Sequence, residues 1–149
     1  MQLEFRLANS ADIELLLDFM CQFYSIDSYP FDAHLARPTM QQIIEDTSLG
    51  RVWLIYHQEM AIGYVVLTFG FSLEYHGRDA FIDELFLLPA HRGQGIGSQV
   101  MHFVLDACPA LSIHALHLEV ERTNLAGLRL YRKYGFEEHD RSLMTRWIE

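Results

Sequence analysis

The sequence has few of the residues that mark several large classes of protein. It contains only two cysteines, Cys21 and Cys108, far apart and in no CxxC or metal-binding spacing, so we expect a reducing cytoplasm rather than a disulfide framework. Eleven basic residues against twenty acidic ones give a formal charge of −9, and without clustered Lys and Arg no nucleic-acid partner is expected. No apolar run approaches the roughly 20 residues of a membrane span, and the N-terminus shows no secretory-signal pattern.

The eight histidines do not form a metal-binding pattern. His114 and His117 are three positions apart in a predicted strand and therefore face opposite sides, and no HxxxH pair lies in a predicted helix. We therefore expect no metal. The acidic balance suits a cationic small molecule or a basic peptide, although surplus acid also serves solubility.

The remaining composition is that of a globular protein. The chain has 149 residues, half of them hydrophobic, which is enough for one domain covering residues 1–149. Hydrophobic periodicity predicts alternating strands and helices and hence a mixed sheet. The predicted strands are 3–7, 51–57, 61–73, 80–88, 115–120 and 142–148. The first predicted helix follows Asn9 to Asp12, and three further predicted helices cover 38–47, 95–108 and 125–134. Residues 25–37 are predicted to be irregular.

A glycine-rich turn is the first feature that indicates chemistry. The stretch HRGQGIG, residues 91–97, lies where the strand 80–88 ends and a helix begins. Free backbone N–H groups and the helix dipole at such a point bind phosphate oxygens, and glycines at 93, 95 and 97 allow close approach and positive φ. Arg92 can add a charged contact. No lysine follows as in a Walker loop, and GxGxxG fails at Ser98 and Val100, so the alternative is a simple tight turn.

Two separated motifs then resemble one family. Residues 92–97 match RxxGxG, and Asn124, Leu130–Tyr131 and Gly135–Phe136 match N..A..LY...GF, with Gly127 where alanine is common. The chain is similar over nearly its whole length to the GCN5-related N-acetyltransferases. The resemblance implies a mixed, mostly antiparallel central sheet with a splayed parallel strand pair, flanked by helices.

The resemblance also implies acetyl-CoA as the co-substrate and assigns residues to it. The pantetheine arm would pair with the strand edge at Leu85, Phe86 and Leu87, in a wedge between this strand and residues 115–120. The residues implied for binding the pyrophosphate and the rest of the cofactor are Arg92, Gly93, Gln94, Gly95, Ile96, Gly97, Ser98, Asn124 and Tyr131.

Catalysis by such an enzyme requires a deprotonated amine, an oxyanion donor and a proton for the leaving thiolate. The resemblance makes the N–H near Leu87 the oxyanion donor and Tyr131 the acid, although Tyr131 could instead pack in the core. Asp83 and Glu84 compete as base, because neighbouring strand residues face opposite sides and only one can face the cleft. The resemblance to polyamine and glucosamine acetyltransferases matches Asp83 to their active-site acid, and Glu84 stays an alternative because a bulge would change the alternation. Either acid could instead only bind a cationic amine or cap a loop.

The sequence thus predicts a cytoplasmic N-acetyltransferase that acts on a primary amine of a small molecule or peptide by direct attack. The alternative is a noncatalytic acyl-CoA sensor or interaction module on the same fold. Other expectations concern the acceptor side and assembly. Residues expected near the acceptor are Tyr24, Asp27, Tyr29, Phe31 and Asp32, with Glu119 and Glu121 as weaker candidate bases, and the aromatic hairpin 65–75 is a possible homodimer surface.

Overall fold

The computed structural model describes residues 2–149 and contains five strands and four α-helices within them. The strands are β1 (Leu3–Leu7), β2 (Gly50–His57), β3 (Met60–Ser72), β4 (Gly77–Leu87) and β5 (Ala115–Leu118). The helices are α1 (Ile13–Ile26), α2 (Ala33–Glu45), α3 (Ile96–Ala107) and α4 (Leu125–Lys133). Short 3-10 turns lie at Ser10–Asp12 and Pro89–His91.

The five strands form one mixed sheet in the order β1-β2-β3-β4-β5. The first four are antiparallel neighbours, as expected for strands joined by short turns, and only β4 and β5 run parallel, with α3 as the crossover between them. The predicted fold class is confirmed, including the single parallel pair.

Helices cover the sheet because its strands are apolar on both faces. On one face, α1 buries Leu16, Phe19 and Met20 against alternate residues of the central strands, among them Leu54 and Val66. Trp53 points the other way, where its ring meets the Phe103 ring of α3 edge-on at 5.1 Å.

Contacts divide the chain into two compact units, one ending at Glu119 and one running from Val120 to Glu149. The first unit contains the sheet with α1, α2 and α3. The second contains α4 and the C-terminal residues. A single domain of residues 1–149 stays a prediction.

Four sequence predictions about the elements are wrong. Strand β4 begins at Gly77, three residues before the predicted start at residue 80. Helix α2 begins at Ala33, not residue 38, because Asp32 caps it by accepting the N–H of His34 at 2.9 Å, and Pro38 lies inside the helix. Strand β5 ends at Leu118, two residues early. The predicted strand 142–148 is irregular, because it is not paired with any strand of the described residues.

Candidate active site

A bulge in β4 decides which way its two acids face. Val66 of β3 pairs with Glu84 and Leu67 pairs with Ile82, so Asp83 has no partner. The extra residue changes the alternation of the strand. Because cross-strand neighbours share a face and Val66 packs in the cluster under α1, Glu84 also faces α1.

Two tyrosines hold the carboxylate of Glu84. The O–H of Tyr64, a fully buried residue of β3, donates to Oε1 at 2.8 Å. The O–H of Tyr24, from α1, donates to Oε2. With one donor on each oxygen, the carboxylate is fixed between the sheet and the helix.

Burial controls the protonation of this cluster. Loss of water around Glu84 raises its pKa, the two tyrosine hydrogen bonds oppose that rise, and the charge of Asp83 adds to it. Although Asp83 is exposed, the surrounding protein partly desolvates its carboxylate and raises its pKa too. Burial and then Glu84 raise the pKa of Tyr24, and burial with the Glu84 charge raises that of Tyr64, so both hydroxyls stay protonated. Glu84 therefore has the raised proton affinity of a candidate general base.

The second half of β4 has an open edge. Strand β5 pairs only with residues 79–82, so the pair separates where the acids begin. The N–H of Leu88 donates to the carbonyl of Ile62 at 2.8 Å, and in an antiparallel pair alternate residues point opposite ways. The N–H and C=O groups of Leu85 and Leu87 therefore point away from β3, toward the side of β4 where β5 has separated from it.

Residue Arg92 lies beside this edge. Its Nε donates to the Leu87 carbonyl at 2.9 Å, and its guanidinium carbon lies 5.7 Å from the centre of the Phe86 ring. Among residues 2–149 its two terminal nitrogens have no hydrogen-bond partner. They are therefore free to meet an anion.

The glycine-rich turn has the conformation that its sequence predicts at two of three positions. Gly93 and Gly95 both have φ of 75°, in the left-handed region, and a Cβ on either would point into open space. The prediction is wrong for Gly97, which is the second residue of α3 and helical. Gly97 lies in the first turn of α3 and therefore has helical dihedral angles, whereas Gly93 and Gly95 precede the helix and can adopt a positive φ.

The backbone N–H groups of residues 93–98 point at no internal acceptor. None of the residues that the structure describes accepts a hydrogen bond from them, and α3 has no side-chain cap. Six consecutive free donors at a helix N-terminus, in the positive end of its dipole, are an arrangement that can hydrogen-bond phosphate oxygens.

Helix α4, in the second unit, carries the other two predicted site residues. Asn124 caps it by accepting the N–H of Gly127 at 3.0 Å, and a Cβ on Gly127 would lie 2.6 Å from the Asn124 amide nitrogen. Glycine at position 127, where alanine is common in the family, therefore leaves room for the Asn124 side chain to cap the helix. Tyr131 lies seven residues later, about two turns, so it shares a helix face with Asn124. Burial raises the pKa of Tyr131, and its ring meets Phe136 edge-on at 6.0 Å.

Two of the residues expected near the acceptor, Tyr24 and Phe31, lie in contact with each other beside Glu84. Tyr24 contacts Glu84, and the Phe31 ring packs edge-on against Tyr24 at 5.6 Å. Asp32 is occupied as the cap of α2, and Tyr29 is 55% exposed. Asp27 ends α1.

Sequence reasoning missed Tyr64 entirely. Its only signal was a single tyrosine in the aliphatic stretch 61–67 of β3, two positions from Val66 and so on the same face. The two weaker candidates, Glu119 and Glu121, lie beyond the end of β5 at Leu118. His117 instead joins β5 to β4, with its Nε2 at 3.1 Å from Asp79 Oδ2.

Residues 2–149 contain neither a metal-binding cluster nor a membrane-spanning helix. No three His, Cys, Asp or Glu side chains there come together in an arrangement that could hold a metal ion. None of the helices there is both long and apolar enough to cross a lipid bilayer.

Comparison with solved structures places this fold among known ones. An integron cassette protein from a salt-marsh metagenome is 32% identical, with 97% of this chain and 90% of that one covered and a TM-score of 0.85. A predicted acetyltransferase from Clostridium acetobutylicum, solved with acetyl-CoA, has a TM-score of 0.81 at 19% identity, covering 97% and 96% of the chains.

Sequence comparison points the same way. A thialysine N-epsilon-acetyltransferase of Bos taurus is 29% identical over 77 residues, which are 52% of this chain and 45% of the relative, so the chain spans less than half of that protein. A peptidyl-lysine N-acetyltransferase of Salmonella typhimurium is 26% identical over 79% of this chain and 73% of its own length. The model of the acetyltransferase (GNAT) family matches residues 14–136, most of the chain. The chain therefore belongs to the GNAT acetyltransferase family.

Proposed function

We propose that this protein is an acetyl-CoA-dependent N-acetyltransferase that moves an acetyl group to a primary amine of a small molecule or peptide. The observation that carries the proposal is the continuity of β4 with the turn after it. The open edge at Leu85 and Leu87 leads directly to the six free N–H groups of residues 93–98. An extended amide-containing arm that ends in a diphosphate has the chemistry to pair with both in turn.

The reaction is a direct attack within a ternary complex. Glu84, or a water that it holds, accepts a proton from the bound ammonium group, and Asp83 attracts that cation. The amine lone pair forms the new N–C bond while the outward N–H of Leu87 stabilises the developing oxyanion. The C–S bond then breaks, and Tyr131, in the role that the family resemblance gives it, gives its proton to the thiolate. The second proton of the new amide nitrogen passes, through water, to the tyrosinate and restores Tyr131, while Glu84 releases the first proton to solvent.

The acceptor that we propose is cationic and lysine-like. A formal charge of −9 attracts cations to the surface, and Asp83 adds a local negative charge next to Glu84. The two relatives named above carry thialysine and peptidyl-lysine in their names. Lysine, thialysine, diamines and lysine peptides are therefore the amines to try first.

A CoA-release assay over this panel tests the proposal. At least one amine should accelerate thiol release from acetyl-CoA, and Glu84→Gln should keep acetyl-CoA binding while losing most of the turnover. If acetyl-CoA binds and no amine in a wide panel accelerates release, the protein is a noncatalytic acyl-CoA module. If acetyl-CoA does not bind at all, the proposed cofactor site is wrong as well.

A further inference from the structure

Two neighbouring acids of β4 lie without a cationic partner. Asp83 is exposed and Glu84 is half-buried, and no Lys, Arg or His of residues 2–149 forms an ion pair with either. Burial raises the pKa of both carboxyls, and an opposite charge close by would favour their ionised forms. An ammonium group from outside the chain is the partner that this pair of acids lacks.

The two oxygens of the Glu84 carboxylate differ in their access to the surface. The O–H of Tyr64 occupies Oε1, and Tyr64 is fully buried, so a ligand has no access on that side. The O–H of Tyr24 occupies Oε2, and Tyr24 is only half-buried. Of the two groups that hold the carboxylate, Tyr24 is therefore the one that an acceptor from outside can meet.

The Tyr24 oxygen has a free position for such an acceptor. A phenol oxygen donates one hydrogen bond and can accept two, and none of residues 2–149 donates to it. The Phe23 and Phe31 rings pack edge-on against the Tyr24 ring, with 5.9 and 5.6 Å between centres. The Tyr24 carbonyl accepts the N–H of Tyr29 at 2.9 Å. The hydroxyl is thus held in place, with an acceptor position that suits an ammonium N–H.

Tyr24 stays neutral during any proton transfer at this position. Burial, and then the hydrogen bond to Glu84, raise the pKa of Tyr24, so a free tyrosinate is disfavoured. A phenol oxygen that already carries its proton can take another only as it gives the first away. Its partner for that proton is Glu84 Oε2, the acceptor of its present hydrogen bond.

We propose that Tyr24 is a further catalytic residue that relays the proton of the acceptor to Glu84, a role that rests on the acetyl transfer proposed above. One N–H bond of the bound ammonium breaks as its proton bonds to the Tyr24 oxygen. In the same step the Tyr24 O–H bond breaks, and that proton bonds to Glu84 Oε2. The ammonium becomes a neutral amine with a lone pair for attack, Glu84 becomes a neutral carboxyl, and Tyr24 is a hydroxyl before and after.

The variant Tyr64→Phe is the matched control for Tyr24→Phe. Each substitution removes one donor from the same carboxylate, so each should loosen Glu84 and raise its pKa. Only Tyr24→Phe also removes the relay. The comparison is made with lysine as acceptor, at a pH where Glu84 is ionised in all three proteins. Tyr24→Phe should lower kcat about 10²-fold, and at least about 10-fold more than Tyr64→Phe.

A second acceptor separates proton relay from the positioning of Glu84. In δ,δ-difluorolysine two fluorine atoms sit next to the carbon that bears the reacting amine, and they lower the pKa of that amine. Much of this acceptor is therefore already neutral at the pH of the assay and has no proton to pass on. With it, the difference in kcat between Tyr24→Phe and Tyr64→Phe should shrink to about 3-fold or less.

Two results in the variants would overturn the relay. Equal losses of kcat in Tyr24→Phe and Tyr64→Phe with lysine would mean that Tyr24 only holds Glu84. A deficit of Tyr24→Phe that persists in full with δ,δ-difluorolysine would mean that the lost step is not a proton transfer. Failure of the proposed function is distinguishable from both, because the natural protein itself would then release no CoA with either acceptor, and the relay would be refuted with it.

Discussion

Removal of one hydroxyl, in Tyr64→Phe, tests the electrostatics of the candidate base. The Tyr64 O–H donates to Glu84 Oε1 at 2.8 Å and opposes the effect of burial on the pKa of Glu84. A hydrogen bond to a charged group contributes about 1.5–3 kcal/mol, and one pKa unit corresponds to about 1.36 kcal/mol. Since Tyr24 keeps its own bond and water can replace part of the lost one, we expect the pKa of Glu84 to rise by about 1 unit.

The assay is a carbon-detected NMR titration of the Glu84 carboxyl, assigned by its loss in Glu84→Gln. Tyr56→Phe, which removes a hydroxyl from β2 beside Arg6, is the control and should leave the titration unchanged. If Glu84 is the base, the acidic limb of kcat/KM should move to higher pH by the same amount, because the base must lose its proton to act. An unchanged or lowered pKa of Glu84 in Tyr64→Phe would refute the reasoning.

Three further predictions concern the other site residues. Glu84→Gln should raise the melting temperature near neutral pH by a few degrees. Because the native pKa of Glu84 is raised above 4.5, the protonated carboxyl stabilises the folded protein fully below that pH, and this stabilisation is lost as the pH rises through the native pKa. The difference in melting temperature between Glu84→Gln and the natural protein should therefore vanish near pH 4 in calorimetry. Gly95→Ala should weaken acetyl-CoA binding about 10-fold or more in isothermal titration calorimetry. Gly135→Ala, at a residue with φ of 89° and equally open space, should lower the stability by a similar amount and leave the affinity for acetyl-CoA unchanged. Equal losses of affinity in the two variants would exclude the turn from the cofactor site. Tyr131→Phe should lower kcat about 10²-fold with little change in acetyl-CoA affinity. The control Tyr134→Phe should leave both kcat and acetyl-CoA affinity unchanged. A parallel loss of kcat and affinity in Tyr131→Phe would exclude the acid role.

Local sequence signals predicted most of the elements because those elements depend on local chemistry. Strand β1 has the predicted bounds, since alternation around Phe5 needs only one neighbouring strand. The predicted helix 38–47 starts too late because a proline such as Pro38 is typical of the first position of a helix, whereas α2 starts at Ala33. The cap at Asp32, together with the packing of Ala36 and Met40 against the core, offsets the cost of a proline inside the helix.

The candidate site was predictable where backbone geometry alone sets it. Left-handed glycines 93 and 95 before α3 follow from the motif. The choice between Asp83 and Glu84 could not be made, because it depends on a bulge that only the pairing of β3 with β4 defines. The donor Tyr64 comes from β3, 20 residues away in sequence, and no local pattern links it to Glu84.

The most direct test of the cofactor site is an NMR titration of the amide-labelled protein with acetyl-CoA. The backbone N–H resonances of Gly93, Gly95 and Gly97 should shift strongly and saturate together, since these groups gain phosphate acceptors that residues 2–149 do not supply. Gly70 and Gly135 serve as references and should move little. Acetyl-CoA that binds by calorimetry without shifting the three turn resonances would contradict the account.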